Sequence, residues 1–280
     1  MKDLLRKFIP LSLIAAIKYG FYFTRDTIDW LLGRTDPTIP PTRLMFVGTR
    51  SATVFKQNGE RNLKYFIALC GLKPHEAVLD VGCGIGRQAI PLTRYLNQQG
   101  RYEGIDIVKI GITWCQEHIT PKHPNFQFQV ADIYNQNYNP YGKYTATTYK
   151  FPFPDSSFDL VVLNSVFTHM LPADVTNYFS EISRVLKPQG RCLITYFLAN
   201  EHSLKLTSQP QSRFNFKYRH DHFYTTDKYV PEKAVCYDEA FILDLYQQNG
   251  LIIQPPIYYG SWTGHPGYLT LQDIIVAIKK

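Results

Sequence analysis

A glycine-rich stretch preceded by an aspartate is the feature of this sequence most able to support chemistry. In "VLDVGCGIGR", residues 78–87, β-favouring apolar residues lead to Asp80 and then to alternating glycines. This pattern is typical of a buried strand that ends in a tight turn. The dinucleotide-binding pattern G-x-G-x-x-G would require glycine where this chain has Arg87. The glycines instead allow close approach of the backbone to a ligand, and Asp80 favours a ligand that carries positive charge.

Two further aspartates follow the next two predicted strands. Asp106, in "YEGIDIV", comes 26 residues after Asp80, and a carboxylate at that place can accept hydrogen bonds from both hydroxyls of a ribose. Asp132, in "VADIYN", could accept from an adenine amine, with Ile133 against the ring. An isolated aspartate is more often a turn residue. Aspartates at three successive strand ends indicate a nucleoside-like ligand.

His169 is the candidate for proton transfer. It follows the predicted strand "FDLVVLNS" within a few residues, and the polar side chains of Asn164, Ser165 and Thr168 lie on the same exit. A histidine with a pKa near neutrality can remove the proton of a hydroxyl group. A histidine at the start of a helix is also often a hydrogen-bonded structural residue, and both interpretations stay open from the sequence.

Strands and helices alternate along the chain and must position these residues. Strands are predicted at 77–81, 102–108, 126–132, 158–165 and 191–198, and helices at 61–70, about 87–98, around 114–119, within 177–190 and within 238–250. This alternation predicts an α/β fold whose parallel sheet is covered on both faces. Ligands of such sheets bind at the carboxyl ends of the strands, where the glycines, the aspartates and His169 all lie.

The motifs, taken together and in order, resemble those of class I S-adenosylmethionine-dependent methyltransferases. The matching stretches are "VLDVGCGIG", "GIDI", "VADIYN", "FPFPDSSFDLVVLNSVFTHM" and "EISRVLKPQGRCLIT", which cover about residues 73–200. The ending "LIIQPPIYYGSWTGHPGYLTLQDIIVAIKK" resembles the final antiparallel hairpin of the family. The resemblance implies a Rossmann-like, doubly wound, mostly parallel seven-stranded sheet with an antiparallel last strand.

The resemblance also implies S-adenosylmethionine as the cofactor and assigns its contacts. The glycine loop and Asp80 would face the methionine moiety, Asp106 the ribose, and Asp132 with Ile133 the adenine. The expected cofactor-binding residues are Asp80, Gly82, Cys83, Gly84, Gly86, Asp106, Ile107, Asp132, Ile133, Asn164 and Ser165.

The implied reaction is methyl transfer to a small molecule. We expect an oxygen of a sugar, lipid or natural product as the acceptor, with His169 as the base. The alternatives are a carboxylate or nitrogen acceptor, and a non-catalytic partner subunit that only binds the cofactor. An aminopropyl transferase would need extra acidic groups. The "YNPYG" stretch resembles the loop of amino-directed nucleic-acid methyltransferases, but it precedes strand four, and that strand ends in "NSVF".

The segment 201–235 is expected to be an insert that caps the acceptor pocket. Its stretch "SRFNFKYRHDHFYTTDKYV" interleaves basic and aromatic residues. We interpret it as a substrate lid, with a packing loop as the alternative. Nucleic acid is not expected as a partner, because the insert and the core carry little net charge. The proposed lid residues are Phe214, Phe216, Tyr218, His220, His222 and Tyr224, with Arg213, Lys217 or Arg219 pairing with acceptor charge.

The basic character of the chain belongs to its first part. Residues 1–64 contribute a surplus of six positive charges to the net charge of +7. The longest charge-free run there, residues 8–17, is too short to span a bilayer, and "KYGFYFTRD" offers no signal-peptidase site. We expect residues 1–60 to form a basic amphipathic extension and linker, and residues 61–280 the methyltransferase domain. Residues 1–30 would either lie on an anionic membrane surface or pack on the domain.

Length and composition set outer limits. A chain of 280 residues with 45% hydrophobic residues predicts one domain with decorations. The five cysteines are widely spaced and form no C-x-x-C pair, which argues against a zinc site and against a disulfide framework. A cytoplasmic location is therefore expected, at the membrane surface if the extension binds lipid. The sequence does not predict the oligomeric state.

Overall fold

The computed structural model describes residues 11–46, 48, 50–207, 212–264 and 268–280, with side chains from residue 20 onward. Its helices are α1 (Leu11–Leu31), α2 (Ala52–Cys70), α3 (Ala89–Leu92), α4 (Lys109–His118), α5 (Pro172–Val185), α6 (Glu201–Thr207) and α7 (Glu239–Gln248). Its strands are β1 (Ala77–Val81), β2 (Arg101–Asp106), β3 (Phe126–Val130), β4 (Phe158–Leu163), β5 (Leu186–Tyr196), β6 (Leu198–Ala199), β7 (Tyr218–Arg219), β8 (Phe223–Thr225), β9 (Val235–Asp238), β10 (Leu251–Tyr258) and β11 (Asp273–Lys279).

The main sheet has the strand order β10-β11-β5-β4-β1-β2-β3, which makes seven strands within the described residues. Strands β1 to β5 run parallel, whereas β11 is antiparallel to both β5 and β10. The order reverses between β1 and β4, which is where doubly wound sheets bind their ligands. The predicted fold, including the antiparallel last strand, is confirmed.

Strand β1 is buried along its whole length because both faces of the sheet are covered. Leu79 belongs to a core that includes Phe179 of α5 and Tyr246 of α7. Val78 belongs to a second core on the other face, with Phe66 of α2. Neighbouring residues of one strand therefore stabilise opposite layers, which explains why the strand is apolar throughout rather than alternating.

Three helices differ in extent from the prediction. Helix α2 begins at Ala52, nine residues before the predicted start, because Ser51 accepts a hydrogen bond from the backbone N–H of Val54 and caps it. Helix α3 covers only four residues of the predicted 87–98. Helix α5 starts at Pro172, five residues before the predicted stretch 177–190. It ends at Val185 because the chain continues from Leu186 as strand β5.

The start of the core also differs from the predicted boundary at residue 61. Met45 and Phe55 are buried in the same core as Phe66. The side chains of this core thus begin well before residue 61.

Strands β6 to β9 form a small second sheet with its own core, to which Trp262, after β10, also belongs. Strands β6, β9, β8 and β7 are hydrogen-bonded in that order within the described part of the chain. Phe197, Phe216 and Trp262 pack together, with ring centroids 5.3 to 5.5 Å apart. Asp273 anchors Trp262 by accepting from its indole N–H at 2.9 and 3.0 Å.

Helix α1 is attached to the rest of the chain through a buried carboxylate. Asp26 accepts hydrogen bonds from the backbone N–H groups of Thr42 and Arg43, at 2.9 and 3.0 Å, and pairs with the Arg43 guanidinium. Most other described side chains of α1 are exposed. None of the described helices combines the length and the apolar character needed to cross a membrane. Expectations about residues 1–10 concern positions outside the described residues.

All five cysteines are buried and none forms a disulfide. Cys70, Cys83 and Cys115 lie in the core on the α2 side of the sheet, and Cys192 lies in the core on the other side. Cys236 lies in the core of the small sheet.

Candidate functional site

The glycine stretch forms a loop with three left-handed residues at the carboxyl end of β1. Gly82, Gly84 and Gly86 have φ of 79°, 60° and 79°. A Cβ on Gly82 would lie 2.3 Å from the Val166 side chain, and one on Gly86 would lie 2.9 Å from Ile119. A Cβ on Gly84 would meet no protein atom within 4 Å. The outer two glycines are thus required by packing, whereas Gly84 leaves open space on the cleft that the loop borders.

Asp106 stabilises this loop and lines the cleft. Its Oδ2 accepts from the Gly84 backbone N–H and its Oδ1 from that of Val108, each at 2.7 Å. Burial raises the pKa of Asp106 to about 6, and the backbone hydrogen bonds partly oppose this effect. Each carboxylate oxygen has lone pairs beyond the one used. The ionised side chain can therefore accept from two further hydroxyls, and Ile107 beside it also lines the cleft.

Asp80 lies beneath the loop and is fully buried. Its carboxylate accepts from the Tyr102 hydroxyl at 2.6 Å and from the Gln88 amide at 2.9 and 3.0 Å. Burial raises the pKa of Asp80 to about 7. Gln88, rather than Asp80, lines the cleft. Asp80, which was expected to face the ligand, does not line the cleft; it orients Gln88, which does.

Asp132 points away from the cleft that its neighbours line. Its carboxylate accepts from the Asn139 amide at 3.3 Å and lies 3.9 Å from the Lys143 ammonium. Ile133 and Tyr138 line the cleft at this end. Asn139 also donates to the Ile133 carbonyl oxygen at 3.0 Å. The "YNPYG" loop is therefore a structural brace for this wall, and the wall presents apolar and aromatic surface suited to a flat ring.

His169 lies on the cleft, held by one ring nitrogen. Its Nδ1 lies 3.0 Å from the backbone carbonyl oxygen of Glu232, an acceptor only, so Nδ1 carries the proton. The Nε2 atom is then the unprotonated nitrogen. Burial lowers the pKa of His169, which keeps the ring neutral near neutral pH. Tyr138 packs edge to face on the ring, with the ring centroids 5.3 Å apart, so the imidazole is held between this ring and the Glu232 carbonyl oxygen.

The exit of β4 contains a strained residue. Ser165 has φ of 64° without being glycine, and conformations of this kind often occur at functional sites. Its backbone N–H donates to the Thr195 hydroxyl at 2.8 Å, and its own hydroxyl donates to the Gln272 amide oxygen at 2.9 Å. Asn164 and Ser165 line the cleft as expected by position. Thr168 does not, because it is fully buried, and its Oγ1 has no hydrogen-bond partner within the described chain.

The proposed aromatic lid was wrong. Phe214 and Phe216 pack on Phe197 and Trp262, and His222 stacks on Phe241 at 5.0 Å. The alternative, a packing loop, describes these rings. Two cations of the insert also lie over aromatic rings of the insert. The Lys217 ammonium is 5.0 Å from the centroid of the Tyr218 ring, and the Arg219 guanidinium is 5.2 Å from that of Tyr224. The insert reaches the cleft through Glu232, whose side chain lines it.

Several cleft residues had no assignment from sequence. Phe46 and Phe55 reach it from the segment before residue 61, and no local motif marks them. Gly111 of α4 packs so tightly on the loop that a Cβ would lie 2.6 Å from the Gly84 carbonyl oxygen. Gln88 could have been predicted as a cleft residue, because it directly follows the glycine loop and precedes a helix.

The arrangement fits S-adenosylmethionine. A carboxylate with free lone pairs suits the ribose hydroxyls, an apolar wall suits the adenine, and a loop with open space over Gly84 admits close approach of a ligand. The buried acid Asp80 lies beneath the loop, and because burial raises its pKa to about 7, it adds negative charge there only when it is ionised.

Comparison with known proteins gives the family. The family model of the methyltransferase domain matches residues 72–232, more than half of the chain. The chain is 25% identical over 238 residues to a ubiquinone biosynthesis O-methyltransferase of Rhodopseudomonas palustris, covering 83% of this chain and 82% of that protein. It is 31% identical to a phosphoethanolamine N-methyltransferase of Triticum aestivum over 49% of this chain, but this match spans only 23% of the wheat protein.

Solved structures share the fold. The PH0226 protein of Pyrococcus horikoshii superposes with a TM-score of 0.55 at 17% identity, covering 88% of this chain and 97% of that chain. The magnesium protoporphyrin IX methyltransferase of Synechocystis, solved with bound S-adenosylhomocysteine, has a TM-score of 0.51 at 16% identity, covering 85% and 92%. With the family model, the strand order and the glycine loop in agreement, the chain belongs to the methyltransferase-domain family and is of the class I type that uses S-adenosylmethionine.

Proposed function

We propose that the protein transfers the methyl group of S-adenosylmethionine to an oxygen atom of a small-molecule acceptor. The observation that carries this proposal is the state of His169 on the cleft. Its Nδ1 proton is committed to the Glu232 carbonyl oxygen, which leaves Nε2 as a neutral base. A hydroxyl acceptor needs such a base, whereas an ionised carboxylate needs only orientation.

In this proposal the cofactor supplies an electrophilic methyl group on a sulfonium. Asp106 accepts the ribose hydroxyls, and Ile133 with Tyr138 contacts the adenine. Gln88, oriented by Asp80, and Asn164 meet the methionine moiety. Apolar and aromatic side chains that line the cleft exclude water from the reacting atoms; they are Val166, Met170 and Tyr178. The chain thus contributes alignment, a dry environment and one proton acceptor.

A nitrogen acceptor is the second candidate, and two carboxylates support it. Asp174 and Glu232 both line the cleft near His169. Burial raises the pKa of each, yet either, when ionised, would attract an ammonium group. The named activities of the relatives include both an oxygen and a nitrogen acceptor, so the acceptor atom has to be measured.

The test uses the full-length protein with S-adenosylmethionine that carries a trideuteriomethyl group. Incubation with small-molecule and lipid extracts, followed by mass spectrometry and fragmentation, identifies the labelled product and the labelled atom. We expect the label on oxygen. A label on nitrogen would select the second candidate, and a protein that binds the cofactor but labels nothing in any extract would contradict both and favour the non-catalytic partner subunit.

We further propose that residues 1–30 hold the protein at an anionic membrane surface. Phe21, Trp30 and Leu31 of α1 expose 64, 67 and 69% of their surface. The basic surplus of the chain lies in the same part of the sequence. Exposed aromatic and aliphatic side chains beside positive charges are the features by which interfacial helices bind lipid. The five buried, free cysteines support a reducing compartment.

A further inference from the structure

A second cavity lies beside the cleft, between α2 and the carboxyl ends of β4 and β5. It has a volume of about 210 Å³, far more than the roughly 10–15 Å³ that a single water molecule requires. Arg87, Asn164 and Ser165 line both spaces. The cavity therefore adjoins the cleft at the strand exit where the methyl group is expected.

The charged side chains that line this cavity, among the described residues, are all positive. Its lining contains the guanidinium groups of Arg61 and Arg87 and, among the described residues, no aspartate or glutamate. The Nε–H of Arg87 is buried and has no hydrogen-bond partner within the described chain. Asp80 interacts electrostatically with Arg87, but its carboxylate oxygens accept hydrogen bonds from Gln88 and Tyr102. Two guanidinium groups that line one cavity, with no acidic side chain in its described lining, favour the binding of an anion.

Neutral donors surround the two arginines. Asn58 and Asn62 lie on α2, on the same wall as Arg61. The amide oxygen of Gln272 already accepts from the hydroxyls of Ser165 and Thr195, at 2.9 and 2.7 Å. The groups that this amide can still offer are N–H donors. The two guanidinium groups and the Gln272 amide N–H groups therefore favour an oxyanion over a cation in this cavity.

We propose that this cavity is an anion-binding subsite, in which Arg61 and Arg87 hold a phosphate or carboxylate group of the methyl acceptor. This proposal rests on the proposed function and narrows its substrate class to anionic small molecules. The insert arginines do not compete for this role, since neither Arg213 nor Arg219 lines this cavity or the cleft, and the Arg219 guanidinium lies over the Tyr224 ring. An acceptor anchored here would place its other end at the β4 exit, beside His169 and the methyl group.

The test titrates inorganic phosphate into the full-length protein saturated with S-adenosylhomocysteine and follows binding by calorimetry. Arg61→Gln is the main variant, because Arg61 is exposed and lines only the second cavity, so that the fold and cofactor binding are preserved. Lys64→Gln is the matched control, since it removes one positive charge from an exposed position of the same helix outside the cavity. We expect phosphate to bind alongside the nucleoside, with affinity about tenfold or more weaker in Arg61→Gln and unchanged in Lys64→Gln.

The anion held by Arg61 and Arg87 could instead be the carboxylate of the methionine moiety of the cofactor. A second set of binding measurements distinguishes this carboxylate from an anionic group of the acceptor. Binding of S-adenosylhomocysteine and of 5′-methylthioadenosine, which lacks that carboxylate, is compared in the wild type and in Arg87→Gln and Arg61→Gln. If phosphate competes with S-adenosylhomocysteine, and both variants weaken S-adenosylhomocysteine but not 5′-methylthioadenosine, the cavity holds the cofactor carboxylate and the proposal is overturned.

The two proposals fail in different ways. Absence of phosphate binding, together with a labelled product that carries no anionic group, would overturn the subsite and leave the methyltransferase function intact. Phosphate binding at the cavity without any labelled product would contradict the function while the arginines are still shown to hold an anion. A labelled product with a phosphate or carboxylate, formed with a raised KM and little change in kcat in Arg61→Gln, would support both.

Discussion

The Nδ1 atom of His169 lies 3.0 Å from the backbone carbonyl oxygen of Glu232, a residue 63 positions later in the chain. This contact joins the exit of β4 to the insert. The backbone carbonyl cannot be titrated, so it fixes the tautomer of the imidazole without competing for the proton that Nε2 would take. The insert contributes to the site through this backbone group and through the Glu232 side chain.

Replacement of His169 by glutamine is expected to lower kcat by about 10²- to 10⁴-fold with little effect on the affinity for S-adenosylhomocysteine. Glutamine can donate to the Glu232 carbonyl oxygen but has no basic lone pair. His118→Gln is the control, because that histidine stacks on Trp114 and does not line the cleft. Steady-state kinetics with the identified acceptor measure the effect. Full activity of His169→Gln would show that the acceptor is already ionised.

The pH profile of kcat/KM should follow His169 in the wild type. Burial lowers the pKa of this histidine, so the neutral form is lost only when the pH falls below the ordinary histidine value of about 6.5. At saturating S-adenosylmethionine, we expect kcat/KM for the acceptor to rise with pH through that lowered pKa and then to level off. The rise should be absent in His169→Gln. A profile that is identical in both proteins would assign the titration to another group.

Cofactor affinity should depend on pH through Asp106. Burial raises the pKa of this carboxyl to about 6, and only the ionised form accepts from both ribose hydroxyls. Binding then lowers the pKa, so the affinity is constant above about pH 6 and falls by roughly tenfold per pH unit below it, until the pKa of the bound state is reached. Calorimetry across this range tests the prediction. Asp106→Asn should bind weakly at every pH, and an Asp106→Asn protein that keeps the dependence would contradict the assignment.

Gly84→Ala and Gly71→Ala form a matched pair for the glycine loop. The two glycines have φ of 60° and 62°, and a Cβ meets no atom within 4 Å at either one. Each substitution should cost the roughly 1–2 kcal/mol of a left-handed non-glycine residue. Only Gly84 borders the cleft, so only Gly84→Ala should lose S-adenosylhomocysteine binding. Thermal unfolding and calorimetry measure both properties; equal affinity in the pair would mean that the cofactor does not contact the loop at Gly84.

Substitution of exposed apolar residues on α1 should weaken membrane association. We expect the double change Trp30→Ser and Leu31→Ser to reduce co-sedimentation with anionic vesicles by tenfold or more, since buried apolar area is lost at the interface. Tyr141→Ser, at a side chain that is 91% exposed but distant in sequence, is the control. Association should also weaken with added salt. If the wild type does not bind anionic vesicles, the extension has another role.

The parts of the molecule that could be predicted from sequence are those encoded locally. The bounds of β1 were predicted correctly because a short apolar run meets a glycine turn, and the place of His169 followed from the end of β4. Asp80 and Asp132 were located correctly in the chain, but their side chains are committed to Tyr102 and Asn139. Which neighbour an aspartate meets is decided by tertiary packing, and no local pattern states it.

The role of the aromatic residues in the insert could not be predicted from sequence for the same reason. Alternating aromatic and basic residues are compatible with a binding face and also with a small core edged by charge. Phe216 could be assigned to the core only after Trp262, 46 residues later, had been found against it. The contact of Glu232 with His169 likewise joins two segments that are far apart in the chain, and neither segment has a local pattern that predicts the contact.

The burial of the five cysteines has a practical consequence for studying the motions of this protein. Burial raises the pKa of each thiol, to about 12 for Cys70, so alkylation requires local or global opening. Cys83 lies within the glycine loop, Cys192 in the core on the other face of the main sheet, and Cys236 in the core of the small sheet. Their separate reaction rates would therefore report three opening equilibria in the natural sequence. The chain therefore contains its own set of chemical probes, which can show whether ligands rigidify the loop, the sheet or the insert.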